Sequence, residues 1–449
     1  MKRKQLLYIF GIILCFVACK DVNEFDVVTI RETPQINVVA DAKGVVLKED
    51  GTPVQGAEIQ VGNVFTSTNS RGEYEVRNAT MAKGRGQIQI SKNGFFKQIS
   101  TASAQSGEMS YNKIILSERG QAQTFNTNNT ETVNISGLNI TFPSGSLKTN
   151  SGQVYSGDVN VFSKKISPND DGFSNKMMAD LVGKTKEFEK KVLLPALMMN
   201  LELETSSGVE LNFDGEDGVI LEFEVPSDLE DEMGEAIAWE YDTEDEFWLE
   251  EVECYPSSGS YQCTLGGTGP WACCIPIDGV EVTLNVVNSN NTAAKHVKVE
   301  YDDQNSYFVF GGYTNNRGTI IGTLPVSAEF DLSVEDLCEN IVFTDVVGEF
   351  QEDITLPNAN LTNTVEQFSI NAEGSIEDCS SSLVTPSWVN MRYAGNEKNF
   401  KVDNLGNFDV DVFFNCIDFP DLEVTGYNYT DEQQSETVLH DYLSDVNVG

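Results

Sequence analysis

Histidine is almost absent: His296 and His440 are the only two in a chain of 449 residues. A serine nucleophile needs a base beside it, and neither histidine lies in H-E-x-x-H or another zinc-ligand spacing. No G-x-S-x-G elbow and no G-x-x-x-x-G-K-[ST] phosphate loop occurs. Carboxylates are so frequent that no one pair stands out for glycoside hydrolysis. These absences predict a chain that is not an enzyme. Basic residues are scarce too, 29 Lys and Arg against 70 Asp and Glu, for a net charge of -41. Phosphate neutralisation needs Lys and Arg, so nucleic acid is excluded as a partner. The acidic excess implies a solvated surface that resists association. Long apolar runs are also lacking. Leu6–Val17 falls short of the roughly 20 residues that span a bilayer. Apolar residues at i, i+3, i+4 and i+7 recur over no long stretch, which excludes a helical fold.

What is present is period two. Glu58-Ile59-Gln60-Val61 and Gly86-Gln87-Ile88-Gln89-Ile90 alternate in the way half-buried strands do. Gly, Asn and Ser separate such runs. One separator recurs: Thr68-Asn69-Ser70-Arg71-Gly72, Thr314-Asn315-Asn316-Arg317-Gly318 and the looser Val402-Asp403-Asn404-Leu405-Gly406. Asn and Asp bond their own backbone in turns, and Gly takes the positive φ that closes one. Three copies imply three similar modules in an all-β chain of tandem β-sandwiches. Alternation places Val45, Leu47, Ile59, Val61, Tyr74, Val76, Ile88 and Ile90 in the core of the first.

The N-terminus carries its own pattern. Met1-Lys2-Arg3-Lys4 is basic, an apolar stretch follows, and Phe16-Val17-Ala18-Cys19 ends it. This resembles a bacterial lipoprotein signal, with residues 1–18 removed, Cys19 lipidated and residues 19–34 a tether. An acyl anchor on Cys19 would make the membrane a partner. Lys20-Asp21, Glu24 and Asp26 resemble the charged export tag of surface lipoproteins in the Bacteroidota, which implies an outer-membrane, surface-exposed location.

Residues 35–118 contain Gly44-Val45-Val46, Asp50-Gly51-Thr52-Pro53-Val54, Gly56-Ala57-Glu58-Ile59-Gln60-Val61, the first turn, Tyr74 and Lys92-Asn93-Gly94-Phe95. This order resembles the carboxypeptidase regulatory-like domain. The resemblance implies a transthyretin-like seven-stranded sandwich with no peptidase residues of its own. Residues 119–277 are expected to form a larger β domain, similar to units that follow such modules in bacterial surface proteins. Residues 278–362 and 363–449 hold the second and third copies of the turn. The final stretch, Leu443–Gly449, reads as a turn entering a strand that is not completed.

Seven cysteines lie beyond the signal. Cys254 and Cys263 flank a stretch containing Tyr255-Pro256-Ser257-Ser258-Gly259-Ser260 and are expected to pair across a hairpin. Aligning the turns sets Cys338 over Cys416, makes Cys379 a partner for Cys416, and leaves Cys338 to reach back to Cys273 or Cys274. An exported chain can form such bonds. No C-x-x-C pair supports a metal. Asn169, Asp170 and Asp171 offer oxygens of the kind Ca²⁺ takes, without EF-hand spacing, and an ordinary turn is the alternative. Trp239, Tyr241, Phe247, Trp248 and Trp271 form an aromatic group. Trp248 and Trp271 are candidates for stacking on a sugar, and cross-strand packing is the alternative. The reading is a non-catalytic, lipid-anchored, surface-exposed scaffold, adhesin or binding surface for a protein or polysaccharide ligand. Beside it stand a carbohydrate-binding component of a nutrient-uptake system and an accessory hydrolase.

Overall fold

The computed structural model describes residues 35–449 except 169, 171, 214, 226–235, 258–259, 305–307, 337–338, 363–367, 379–381, 394–395, 415–420, 429–432, 435–437, 442–446 and 449. The described chain is all-β, with tandem β-sandwiches. Its one α-helix among these residues is a single turn, Phe173–Lys176. No helix among them is long and apolar enough to cross a membrane. Cys19 and the rest of the expected signal and tether lie outside the described residues.

The first group of strands is β1 (Asn37–Leu47), β2 (Glu58–Val61), β3 (Val64–Ser67), β4 (Glu73–Ala82), β5 (Gly86–Ser91), β6 (Gln98–Ala102) and β7 (Met109–Ile115). They form two sheets, β4-β1-β7 and β3-β2-β5-β6. β1 runs antiparallel to β4 and parallel to β7. The same arrangement recurs twice. Gly279–Val287 pairs antiparallel with Thr319–Pro325 and parallel with Ile354–Thr355 and Ala359–Asn360. Phe368–Ser375 pairs antiparallel with Asn407–Phe414 and parallel with Asn447–Val448. Each of these is accompanied by a second sheet whose central pair follows the order seen in β2 and β5.

Ile59, Val61, Tyr74, Val76, Ile88 and Ile90 are buried in the first core, while Val45 and Leu47 are not. The inward face of β1 is Ala40, Ala42, Gly44 and Val46. A shift of one residue exchanges the two faces of a strand. Small residues face inward because the space is already filled. A Cβ on Gly44 would lie 2.9 Å from the Tyr74 hydroxyl and would strike the carbonyl oxygen of Asn112. Val45 and Leu47 lie on the outer face, half-buried.

Between the first and second copies lies a larger unit of one five-stranded and one nine-stranded sheet. Its longest strand is Lys190–Thr205, buried almost continuously from Val192 to Leu201. Pro195 has no N–H to give to a ladder, and the pairing with Gly269–Ile277 shifts register between Pro195 and Leu197. Leu197 faces a core shared with the five-stranded sheet, and Met198 faces a core continuous with the strands of 279–360.

Candidate functional site

The recurring turn has the same chemistry in each copy. The Asn69 side-chain oxygen accepts from the N–H of Arg71 (2.9 Å) and Glu73 (3.0 Å). Asn315 accepts likewise from Arg317 and Thr319, and Asp403 from Leu405 and Asn407. Gly72, Gly318 and Gly406 have φ of 75°, 73° and 80°. A Cβ on Gly72 or Gly318 would collide with the carbonyl oxygen of Val46 or Val286. Buried Thr68 donates its hydroxyl to Val54 O at 2.5 Å and accepts from Ala57 N at 2.8 Å. Thr314 does the same with Ala294 O and Val297 N. Val402 in the third copy has no hydroxyl. Ser387, on the facing segment, donates to Val384 O at 2.6 Å instead. The turn is therefore a structural lock in all three copies and not a ligand loop.

Gly56 N bonds Thr68 O, and His296 N bonds Thr314 O, so the two residues hold equivalent positions. Both have positive φ, 66° and 58°. His296 thus lies in a turn. Its imidazole is buried, 3.0 Å from the Asn316 side-chain oxygen and stacked at a tilt on Tyr111. Burial pushes it down to about 3, so it stays neutral.

The strand groups are joined by polar contacts that sequence spacing gives no hint of. Arg85 of the first group grips Asp180 of the larger unit with two parallel bonds, Nε–Oδ2 and Nη2–Oδ1, both 2.5 Å. Both side chains are largely buried, 15% and 7% exposed. Arg119 reaches Glu202 (2.5 Å) and Glu204 (3.3 Å). Between the first group and the strands of 279–360 run Lys113–Glu339, Arg317–Glu108 and a bond from Ile321 N to Ser103 Oγ. Arg71–Glu423 and Arg392–Glu73 tie the first group to the last. At the meeting of the first group, the larger unit and the strands of 279–360 lies a cavity of about 130 Å³.

A second cluster is buried inside the larger unit. Cys254 Sγ lies 2.9 Å from Cys263 Sγ, and Cys273 Sγ lies 3.7 and 3.4 Å from the two. Cys263 comes from the five-stranded sheet and Cys273 from the nine-stranded one. Burial raises Cys273 and Cys274 well above the usual thiol range. The structure has Cys254, Cys263 and Cys273 as free thiols, with sulfurs close enough for two of them to form a disulfide or for the three to ligate one metal ion. Cys273 or Cys274 was expected to pair with Cys338, which lies outside the described residues. Alternation along Trp271-Ala272-Cys273-Cys274 was the available signal: it sends Cys273 to the same core as Trp271 and Cys274 to the opposite one. Cys379 and Cys416 lie outside the described residues.

Trp248 and Trp271 are corrected as stacking candidates. Both are fully buried, at 0% exposure. Their indole N–H groups are used internally, by Asp180 O (2.9 Å) and Gly267 O (3.0 Å). Trp239 and Tyr241 are buried with them. Among the calcium candidates, Asp170 is exposed, and its side chain accepts from Ser167 N at 2.9 Å, closing a short turn. Asn169 and Asp171 lie outside the described residues.

No family model matches this sequence, and no curated protein matches it. Several solved structures resemble it. The shaft pilin spaA of Lactobacillus rhamnosus GG is 10% identical, aligns over 38% of this chain and 95% of its own, and has a TM-score of 0.26. A DUF3823 family protein from Parabacteroides merdae is 12% identical over 36% of this chain and 98% of its own, with a TM-score of 0.19. BcpA, the major pilin subunit of Bacillus cereus, is 9% identical over 73% of this chain and 100% of its own, with a TM-score of 0.16. At these scores the likenesses carry no inference about partner or activity.

Proposed function

We propose that this chain is a non-catalytic scaffold or adhesin of the cell envelope, lipid-anchored through Cys19 and displayed at the surface of an outer membrane. The observation that carries the reading is the strand arrangement of the first group recurring twice, locked by one turn chemistry, with the first group fastened to a doubly packed central unit by Arg85–Asp180 and by Arg119 with Glu202 and Glu204. Such a body presents large, stiff β surfaces. The first group of strands serves as a carboxypeptidase regulatory-like module in this reading. Its ligand is a protein or a polysaccharide. His296, one of two histidines, is buried and held neutral by packing, which supports a structural role for it. Sugar capture by stacking on Trp248 and Trp271 is not proposed, because both rings are inside.

Export also gives the cysteine cluster a chemistry. One disulfide forms between Cys254 and Cys263, with Cys273 left as a buried thiol. Each bond made reduces an oxidised dithiol donor of the envelope by two electrons and two protons. Non-reducing peptide mapping should show Cys254 and Cys263 linked; three free thiols in the exported protein would refute it. The surface reading is tested by protease shaving of intact cells, with metabolic labelling by a fatty acid. Loss of label in Cys19→Ala and digestion of the wild type on whole cells are the expected results. Full protection from protease, or unlabelled wild type, would overturn it.

A further inference from the structure

Acidic side chains are abundant in this chain, yet the one set of three or more His, Cys, Asp or Glu residues whose ligand atoms converge, among the described residues, is Cys254, Cys263 and Cys273. All three are buried, at 3%, 3% and 1% exposure. Their sulfurs form a compact triangle with sides of 2.9 Å (Cys254–Cys263), 3.4 Å (Cys263–Cys273) and 3.7 Å (Cys254–Cys273).

Backbone pairing holds each corner of the triangle. Cys254 directly follows the strand Phe247–Glu253, and its N–H donates to Ala236 O at 2.9 Å. Cys263 is registered against Leu221 in the five-stranded sheet. Cys273 is registered against Leu197 and Ala238 in the nine-stranded one. Leu197, Leu221, Ala236 and Ala238 belong to the same buried core as the cysteines. The sulfurs thus meet between two sheets, positioned by paired strands, which hold a site more closely than loops do. Cys274, next along the strand, enters the opposite core.

The shape of the triangle separates two kinds of thiol chemistry. In thiol–disulfide exchange the attacking sulfur approaches in line with the bond it breaks. Cys273 stands beside the pair instead, at roughly 70° from the Cys254–Cys263 axis seen from Cys263, so it is badly placed to attack a bond between them. Three donors around one centre need the compact arrangement that is present. A point equidistant from the three sulfurs lies about 2 Å from each, and outward shifts of a few tenths of an ångström reach the metal–thiolate length of about 2.3 Å. The donor set also selects the ion. Thiolates are soft ligands that favour Cu(I) or zinc over the hard cations that carboxylates take. Closed zinc sites are four-coordinate. Here three sulfurs converge without a fourth His, Cys, Asp or Glu among the described residues, and a monovalent d¹⁰ ion is satisfied by three.

We propose that the reduced chain binds one Cu(I) ion in a three-sulfur site made by Cys254, Cys263 and Cys273. Each thiol that ionises on binding gives its proton to solvent, and no electron is transferred. Cys263 and Cys273 then join the two sheets through the metal. The ion and the Cys254–Cys263 disulfide exclude one another, because that bond consumes two of the three ligands. The inference goes beyond the scaffold reading: it concerns the thiol state of the cluster and does not depend on where the chain is anchored.

The test uses the purified full chain, reduced by a phosphine under anaerobic conditions and titrated with Cu(I) against a chromogenic Cu(I) chelator. One Cu(I) per chain should bind, with an ultraviolet thiolate-to-copper charge-transfer band, and X-ray absorption should show three sulfur neighbours. Cys273→Ala should weaken Cu(I) by at least about tenfold, while Cys274→Ala, equally buried but in the other core, should leave it unchanged. Near-ultraviolet circular dichroism of the metal-free variants separates lost ligation from lost packing, and the sulfur count is read on the wild type. Chain oxidised beforehand to the Cys254–Cys263 disulfide should bind none at this site. No Cu(I) bound, two sulfur neighbours instead of three, equal affinity in Cys273→Ala, or binding undiminished by the disulfide would each overturn the site. Zn²⁺ displacing Cu(I) at equal concentration would overturn the choice of ion. Failure of the disulfide to form on oxidation would count against the pairing proposed above and leave the titration of the reduced chain intact.

Discussion

β1 and the strand Lys190–Thr205 are both long central strands, but they are buried differently. Along β1, exposed or half-buried positions alternate with buried ones; from Val192 to Leu201, burial is nearly unbroken. A strand covered on one face alternates, and one covered on both does not. The difference identifies what each part of the chain has to meet. The first group closes over one core of its own. The larger unit packs against a sheet of its own on one side and against the strands of 279–360 on the other.

The comparison breaks most sharply at neighbouring residues. Leu197→Ala and Met198→Ala should each cost about 3 kcal/mol in chemical unfolding, because consecutive side chains enter two different cores. On β1 the same pair of tests should diverge: Val46→Ala should cost about 2 kcal/mol and Val45→Ala under about 0.5 kcal/mol. Equal costs at Val45 and Val46 would mean β1 is covered on both faces. Arg85→Met should cost about 3 kcal/mol by leaving Asp180 buried and unpaired, and adding Asp180→Leu should recover part of it. A loss confined to the first group, with no change in the larger unit's transition, would show that the pair does not couple them.

The turn copies sharpen the contrast within the repeated groups. Gly72→Val should cost about 2–3 kcal/mol, since it combines positive φ with a backbone collision. Gly406→Val should cost less, about 1–2 kcal/mol, because the nearest atoms to its Cβ are 3.2 Å or more away. Glu240 distinguishes the larger unit by pH. Burial first, then Glu251 and Asp242, raise its carboxyl from the usual 4.5 to about 7. Between these values the folded state keeps a proton the unfolded chain has released, so stability falls as pH rises through that window. Glu240→Gln should therefore stabilise by on the order of 2 kcal/mol at pH 8 and by nothing at pH 4, in melts across that range. The smallest effect is at the hydroxyl locks. Thr68→Val and Ser387→Ala should each cost about 1 kcal/mol, while Val402→Thr should gain nothing, because Ser387 already fills the Val384 carbonyl.

The turns were legible in the sequence because their chemistry is local. Asn69, Asn315 and Asp403 bond N–H groups two and four residues on, and the closing glycine is fixed by its own φ. The faces of β1 were not legible, because valine and leucine look like core wherever they stand. Only Tyr74 and Asn112, arriving from other strands, leave room for nothing larger than Gly44. The tryptophans were misread in part for a similar reason. Whether an indole faces water is decided by what covers it, and the N–H groups of Trp248 and Trp271 find acceptors on backbone that alternation does not locate.

From its own residues, then, the chain determines an all-β architecture, a repeated Asx-glycine turn and a large excess of acid. Those follow from bond geometry, side-chain period and charge, which act within a few residues. Tertiary structure alone decided which face of β1 is inside, that Cys273 joins Cys254 and Cys263, and that Arg85 reaches Asp180. These depend on contacts between residues tens to hundreds of positions apart, where packing and the cost of unpaired buried groups select the arrangement.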